Sequence, residues 1–349
     1  MPPTRYPEIT VTGPPRELGR QFGEAAREQI VGFCDAAMTS VNRTVKISRA
    51  SAMQTAAEAI PFVEDYAPHI LEELRGTAEA SGVTLEDLML LQVRNQLQAE
   101  DAGCTSFSMS GANRSDGFVA QNWDNDPDLD DFTIVLTRRP EGKPAFTTVT
   151  QAGLVSYIGF NDAGIGLCLN TLPAPRGAIG VPHYFTVREI YENDSLEGAA
   201  HAVRRAQRVI PANIMLSTPQ GPADLEVTID DVHVLTPGGG DRVTHTNHCR
   251  HPDLVGINEQ FPELIQSHDR QARIDDLLEG VDSVEAAQAA LRDHQGHPRS
   301  ICRHQNDDPE TGYWKTVFSV VIEPRERRMH ITRGTPCDQP YETYEMGAT

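Results

Sequence analysis

The sequence predicts an α+β protein with helices on the outer faces of two sheets. Three observations carry that reading. Apolar residues recur at helical spacing through the first hundred positions; short runs rich in β-branched and aromatic residues follow Gly103; and the later helical stretches come in pairs between strand runs. A chain of 349 residues, 39% hydrophobic and 23% charged, has the make-up of a soluble globular protein with ample apolar surface to bury.

The elements follow in order. Pro14-Pro15 precedes RELGRQFGEAAREQIVGFCDAA, where Leu18, Phe22, Ala26, Ile30 and Phe33 share one helical face. A second helix is expected near Ala52 to Ile60 and a third from about His69 to Ala80. In SGVTLEDLMLLQVRNQLQ, Thr84 and Asp87 form a capping-box-like pair ahead of an apolar face. After Gly103 the strand runs are FVAQNWD, FTIVLTR, AFTTVTQ, LVSYIGF and GIGLCLN. Ser115-Asp116-Gly117 and Asn161-Asp162-Ala163-Gly164 are turn signals between them. Helices near Phe185–Tyr191 and Leu196–Arg208 lead to LEVTIDDVHVL as strand, with Gly238-Gly239-Gly240 as a turn. Helices near Pro262–Leu278 and Val284–Asp293 precede the closing strands TVFSVVIEP and RRMHITRG. Asp124 to Asp131 reads as a solvated acidic loop, since it lacks the glycine and terminal Glu of a calcium-binding hand.

A formal charge of −20 excludes nucleic acid and anionic membrane as expected partners, because both select basic patches. No apolar run approaches the ~20 residues of a membrane span. MPPTRYPEIT lacks the pattern of a secretory signal, so a cytoplasmic protein is expected. Six cysteines (Cys34, Cys104, Cys168, Cys249, Cys302, Cys337) are scattered without a CxxC pair. That spacing points to buried apolar thiols rather than disulfides or a zinc ribbon.

One cysteine has a distinctive context. In AEDAGCTSFSMSGANRSDGFVAQNWDND, a Gly-Cys-Thr-Ser step lies where helical sequence gives way to strand sequence. A glycine tolerates the strained backbone that presents a carbonyl to the next side chain. A thiolate is a strong nucleophile at neutral pH. Taken alone, the step also describes any cysteine that begins a strand.

Taken together, the segments resemble the isopenicillin-N acyltransferase-like family of N-terminal-nucleophile hydrolases, the C45-type acyl-coenzyme A:6-aminopenicillanic acid acyltransferase family, distantly related to the conjugated bile acid hydrolases. The likeness covers nearly the whole chain. PRELGRQFGEAAREQI is similar to the family's helical opening, Gly103-Cys104-Thr105 to its processing site and Gln121-Asn122-Trp123-Asp124 to its next signature. FNDAGIGLCLN supplies Asn170, HTNH supplies Asn247, SICR supplies Arg303, and TVFSVVIEPRERRMHITRG resembles the closing strand pair.

The resemblance implies a four-layer αββα sandwich forming one domain, with the chain cut between Gly103 and Cys104. Residues 1–103 would remain as a helical α-fragment, and 104–349 would form a β-fragment with an N-terminal cysteine. Cys104 Sγ would attack the Gly103 carbonyl in an N-to-S acyl shift, and water would hydrolyse the thioester. The freed α-amino group, of ordinary pKa about 7.7–8, would then serve as general base for the same thiol. In this scheme Asp124 holds the ammonium and Arg303 makes the thiol region electropositive. Asn247, and secondarily Asn170, donate to the oxyanion, a contribution of ~3 kcal/mol each in a preorganised site.

The implied reaction is acyl transfer from an amide through a Cys104 thioester, with water or an amine as acceptor. The partners expected are a small-molecule amide or acyl donor and the chain's own α-fragment, with higher oligomers left open. No cofactor is expected, with a coenzyme A thioester as co-substrate in the acyltransferase version. VPHYFTVREIYE offers His183, Phe185 and Arg188 to an acyl pocket, or is an ordinary helix start. Between His245 and His251 several His and one Cys fall close together, but no second cluster completes a zinc site, so no metal is expected. His304 as a papain-like base is set aside, because an N-terminal cysteine carries its own base. The alternative from another class is a binding protein on the same fold that has lost processing.

Overall fold

A computed structural model describes residues 4–97, 103–111, 117–262, 266–309 and 311–347. The chain opens with strand β1 (Glu8–Gly13) and helices α1 (Pro15–Ala25), α2 (Arg27–Thr44), α3 (Arg49–Tyr66), α4 (Pro68–Ser81) and α5 (Leu85–Leu97). Strands β2 (Cys104–Met109), β3 (Phe118–Asn125), β4 (Thr133–Pro140), β5 (Phe146–Gln151), β6 (Ile158–Asn161) and β7 (Gly166–Thr171) follow. Helices α6 (His183–Ile190) and α7 (Leu196–Arg204) lead to β8 (Ala212–Thr218), β9 (Gly221–Val227), β10 (Val232–Leu235) and β11 (Arg242–His245). Helices α8 (Ser267–Leu277) and α9 (Val284–Leu291) precede β12 (Lys315–Glu323), β13 (Arg328–Arg333) and β14 (Glu342–Glu345).

Two sheets result, with strand orders β1-β4-β5-β6-β7-β8-β9-β10 and β11-β2-β3-β12-β13-β14. They pack face to face through β2, β3 and β12 against β6 to β8. Helices α1 to α7 lie on the side of the first sheet, and α8 and α9 cover β2, β3, β11 and β12 of the second. This is the αββα sandwich. The period-2 alternation of strands shows why it has two cores. Val119, Val320 and Ile322 belong to the core between the sheets, whereas their neighbours Ala120 and Val321 join Ile274, Leu278, Ala287 and Leu291 beneath α8 and α9.

The helical face read from the sequence is buried: Leu18, Phe22, Ala26, Ile30 and Phe33 all lie in the core. Thr84 and Asp87 form the expected reciprocal cap, with the Asp87 amide donating to Thr84 Oγ1 at 3.0 Å. Helices α1 and α4 touch backbone to backbone. A Cβ on Gly19 would lie 1.8 Å from the Glu73 carbonyl oxygen, and one on Gly76 2.1 Å from that of Arg16. Glycine is required at both positions.

Other expectations change. The first helix breaks at Ala26, which leaves the α region (φ −115°, ψ 22°), so one expected helix becomes α1 and α2. β1 escaped detection and pairs parallel with β4 in an otherwise antiparallel arrangement. Only the last three residues of LVSYIGF, Ile158 to Phe160, are strand, LEVTIDDVHVL is the β9–β10 hairpin, and α7 stops at Arg204. Residues 112–116, with most of the Ser115-Asp116-Gly117 turn, lie outside the described residues, as do 263–265 near the expected start of α8. The Asp124–Asp131 segment is not a solvated loop. Asp124 ends buried on β3, Asp126 caps a 3-10 turn by accepting from the Asp128 amide at 3.0 Å, and Asp130 binds Tyr6 and Arg333. No described helix is long and apolar enough to cross a membrane.

Candidate active site

The two sheets bring together residues spread over two hundred positions. Cys104 begins β2 and pairs in the ladder with Trp123 of β3. Its side chain is 2% exposed. The backbone nitrogen of Cys104 donates to Asn247 Oδ1 at 2.9 Å, and the Asp124 amide donates to the Gly103 carbonyl at 3.0 Å. Both sides of the Gly103–Cys104 peptide are thus held by the site.

Asn247 follows β11 and is fixed from three directions. Its amide accepts Arg270 Nη2 at 2.8 Å, its Nδ2 donates to the Thr171 carbonyl and hydroxyl at 3.1 and 3.0 Å, and its backbone N–H donates to Ser267 Oγ at 2.7 Å. Arg270 also donates to the Cys104 carbonyl and, at 3.0 Å, to Thr105 Oγ1. One guanidinium therefore bridges the Cys104 strand and the side chain that binds the Cys104 nitrogen.

Asp124 lies opposite Thr316, where β12 carries a bulge between Thr316 and Phe318. A bulge re-aims side chains beside it. Here Thr316 Oγ1 donates to Asp124 Oδ1 at 2.7 Å and accepts the Arg303 amide at 2.9 Å. Asp124 Oδ2 is buried with no hydrogen-bond partner. Burial raises the Asp124 carboxyl to about 6, against the opposing pull of the Arg303 and Arg270 charges. Burial, and next the Asp124 charge, push the Cys104 thiol up to about 12, with Arg270, the Asp124 amide and Gln121 pulling the other way. In the uncut chain the thiol is therefore protonated at neutral pH.

Of the residues predicted from sequence, Cys104, Asp124, Asn247 and Arg303 fall into this one cluster. Arg303 stands on the Asp124 side, donates to the Thr311 carbonyl at 2.9 Å, and has its charge facing Asp124; the cation acting on the thiol is Arg270. Asn170 lies one layer away. Its Oδ1 accepts Gln121 Nε2 at 2.8 Å, and its Nδ2 faces Ser106 Oγ, Thr246 O and His245 O at 2.8, 2.9 and 3.1 Å. Three acceptors share two hydrogens there.

His183, Phe185 and Arg188 sit on α6. Phe185 is a core residue, and Arg188 pairs with Glu192 at 2.7 Å beneath Phe146. His183 ends an aromatic run through Tyr184 and Tyr157 to Trp123, with ring centroids 5.9, 5.6 and 5.6 Å apart. Burial lowers its imidazole to about 4. The histidines of the 245–251 segment diverge: His245 binds Glu226 at 2.9 Å, His248 meets Ser267 at 2.7 Å, and His251 packs at a tilt against His233. His304 directs Nε2 at His294, Cys302 and Cys337 rather than serving Cys104.

Sequence reasoning missed Arg270, Thr316, Thr171 and Ser267, and gave Gln121 no role. A signal for Arg270 exists. Ile274 on the buried face of α8 and Leu278 at its C-cap set the stripe, and Arg270 precedes them by one turn and two turns. A charge on the apolar face of a helix needs a buried partner, and here those partners are at Cys104, Thr105 and Asn247.

The acyl-coenzyme A:6-aminopenicillanic acid acyl-transferase family model matches residues 110–338. The chain is 28% identical over 346 residues to the 40 kDa form of acyl-coenzyme A:6-aminopenicillanic-acid-acyltransferase from Emericella nidulans, covering 97% of this chain and 95% of that one. Among solved structures, penicillin V acylase from Agrobacterium tumefaciens superposes with a TM-score of 0.48 at 13% identity, over 70% of this chain and 86% of the other. A mutant conjugated bile acid hydrolase from Clostridium perfringens gives 0.44 at 11%, over 70% and 98%. Both superpositions are partial, and the layered fold stands on the chain's own sheets. With the family model spanning well over half of its length, the chain belongs to the acyl-coenzyme A:6-aminopenicillanic acid acyl-transferase family.

Proposed function

We propose that this protein is a self-processing enzyme that takes an acyl group from an amide onto Cys104 as a thioester and passes it to water or an amine. The observation that carries this reading is the grip on the Gly103–Cys104 peptide, whose nitrogen meets Asn247 Oδ1 and whose carbonyl meets the Asp124 N–H. Attack of Cys104 Sγ on the Gly103 carbonyl forms a C–S bond and puts negative charge on the carbonyl oxygen. The Asp124 amide is aimed at that oxygen, which is what oxyanion stabilisation requires. The thiol gives up its proton as it attacks and that proton passes to the departing nitrogen, so collapse breaks the C–N bond and frees the Cys104 amine; water then hydrolyses the thioester to the Gly103 carboxylate and the Cys104 thiol.

In the processed enzyme, the new α-amino group inherits the bond to Asn247 Oδ1. The partnerless Asp124 Oδ2 is the natural acceptor for its ammonium form. The amine then removes the thiol proton as the thiol attacks substrate, so no histidine is needed. Asn247 Nδ2 carries two hydrogens, and with Thr171 steadying the group, one of them serves the substrate oxyanion. Tyr157, Tyr184 and His183, running from Trp123, are the proposed acyl-pocket wall. The relative's name points to acyl-coenzyme A as one acyl donor; both acceptors, water and an amine, belong in the assay.

The test is intact mass and N-terminal sequencing of freshly purified protein, beside Cys104→Ala. The wild type should give two fragments, the larger beginning Cys-Thr-Ser-Phe, with amidase or acyltransferase activity that iodoacetamide at Cys104 abolishes. Cys104→Ala should remain one folded, inactive chain. An active wild type that is never cut sinks the proposal; a folded, uncut and inactive one favours a binding protein.

A further inference from the structure

Beside Arg303, four side chains from three segments converge. His294 follows α9, Cys302 and His304 precede β12, and Cys337 lies in the turn after β13. The ligand atoms, two thiol sulfurs and two imidazole nitrogens, all lie within 4.8 Å of one another. His304 Nε2 stands 3.1 Å from His294 Nε2, 3.4 Å from Cys337 Sγ and 3.8 Å from Cys302 Sγ. A tetrahedral zinc site with the usual Zn–S and Zn–N bond lengths has N–N, S–N and S–S edges of about 3.3, 3.6 and 3.8 Å. The three separations from His304 lie within about 0.2 Å of such edges.

We propose that His294, Cys302, His304 and Cys337 form a structural Cys2His2 site for zinc. The donors decide the metal class. Two thiols and two imidazoles with no carboxylate among them suit a borderline-soft ion such as Zn²⁺ and disfavour magnesium and calcium, which take oxygen. Binding converts two thiols to thiolate ligands and releases two protons to solvent, leaving a site of zero net charge. Cys302 is buried while His294 and Cys337 reach the surface, so the ion has a route in.

The surrounding backbone supports the cluster without the ion. The Cys302 amide donates to the Asp293 carbonyl at 2.9 Å, and Arg292 Nε to the Pro336 carbonyl at 2.9 Å, tying the three segments together. A preformed site of this kind has little ordering entropy left to offset binding. Cys302 and His304 flank Arg303, the residue that faces Asp124. A bound ion would fix the chain on both sides of that guanidinium.

The test uses untagged full-length protein, reduced and freed of metal by a chelator that is then removed. Titration with Co²⁺ should give one equivalent of tetrahedral ligand-field absorption together with a thiolate-to-cobalt charge-transfer band, both erased by one equivalent of Zn²⁺. Zn²⁺ should raise the melting temperature of the same protein. His294→Ala and Cys337→Ser should each weaken Co²⁺ binding by at least about 100-fold. His233→Ala, in a separate His233–His251–Asp253 group, should bind as the wild type does. No charge-transfer band in the reduced wild type overturns the site, whatever the variants do. So does a band that survives Cys337→Ser, or a Cys302–Cys337 disulfide whose reduction restores no Co²⁺ uptake.

Discussion

Thr316 gives its hydroxyl proton to one oxygen of Asp124 and leaves the other oxygen buried and alone. The carboxylate is therefore held in position but under-solvated, and burial raises its pKa to about 6 from an ordinary 3.8. A raised folded-state pKa means that the folded chain binds the proton more tightly than the unfolded one. Stability is then lost as pH rises from about 4 to about 6, by about 3 kcal/mol for a shift of about two units. In the uncut background of Cys104→Ala, adding Asp124→Asn should abolish that loss. The double variant should be more stable at pH 7.5 by up to about 3 kcal/mol and nearly equal near pH 4. Urea titrations across this range check it; parallel curves would mean that the carboxylate is not under strain. In the Cys104 background, Asp124→Asn should fail in turnover, since the strain is the reserve that the ammonium of Cys104 draws on.

Asn247 separates its two proposed jobs by atom. Oδ1 holds the Cys104 nitrogen, and Nδ2 is the donor assigned to the substrate oxyanion. Asn247→Asp keeps an oxygen acceptor beside Arg270 and removes the amide donor. It should still cleave at Gly103, then show kcat lowered by about 10²–10³-fold with KM nearly unchanged. Asn247→Ala should impair both cleavage and turnover. Kinetics on correctly processed protein decide the matter: a cut Asn247→Asp enzyme with near-normal kcat would remove the oxyanion role and leave only positioning.

The sequence made the layers legible because buried faces impose a period. The α1–α2 stripe and the strand runs of both sheets could be read directly, as could the Thr84–Asp87 cap. β1 was not legible: EITVTG is half exposed with only Val11 buried, and its parallel partner β4 lies far along the chain. Within the site, Cys104 and Asp124 stood out through their motifs. Thr316 did not, because its role depends on a bulge that no local pattern announces. The Cys302–Cys337 meeting was hidden for a similar reason. Metal-ligand spacing is recognisable when pairs share a local turn, and here β12 and β13 separate the two thiols.

Arg270 is the strongest case for a positioning residue that motif reading overlooks. Its planar fork reaches Asn247 Oδ1 with one nitrogen and the Cys104–Thr105 segment with the other. Arg270→Lys preserves the charge near the thiol but cannot make both contacts. If geometry is what matters, cleavage of the lysine variant should slow by about 10–100-fold, the scale of small misplacements at a reacting centre. A time course by denaturing gel measures it. Wild-type cleavage in Arg270→Lys would reduce the residue's role to its charge.

The final expectation concerns what happens after the cut. Glu73 of α4 and Arg138 of β4 lie on opposite sides of the Gly103–Cys104 peptide in sequence, yet they form a fully buried pair at 2.5 Å. Arg188 of α6 approaches the second Glu73 oxygen at 3.7 Å. β1, also from the first segment, is hydrogen-bonded to β4 along its whole length. The helices of residues 4–97 cover the first sheet, whose other strands come from beyond Gly103. Cleaving one peptide removes none of these contacts, so the fragments should co-elute in native size-exclusion chromatography and separate only in denaturant. Glu73→Ala leaves two buried guanidinium groups without their shared carboxylate, a defect that costs about 3–5 kcal/mol when one partner of a buried pair is removed. That variant should release the smaller fragment at distinctly lower urea than the wild type, while an exposed-pair control such as Glu79→Ala, opposite Arg16, should not. Fragments that part in buffer alone would contradict the single shared core, and an unchanged urea midpoint for Glu73→Ala would show that the ion pair does not hold the halves together.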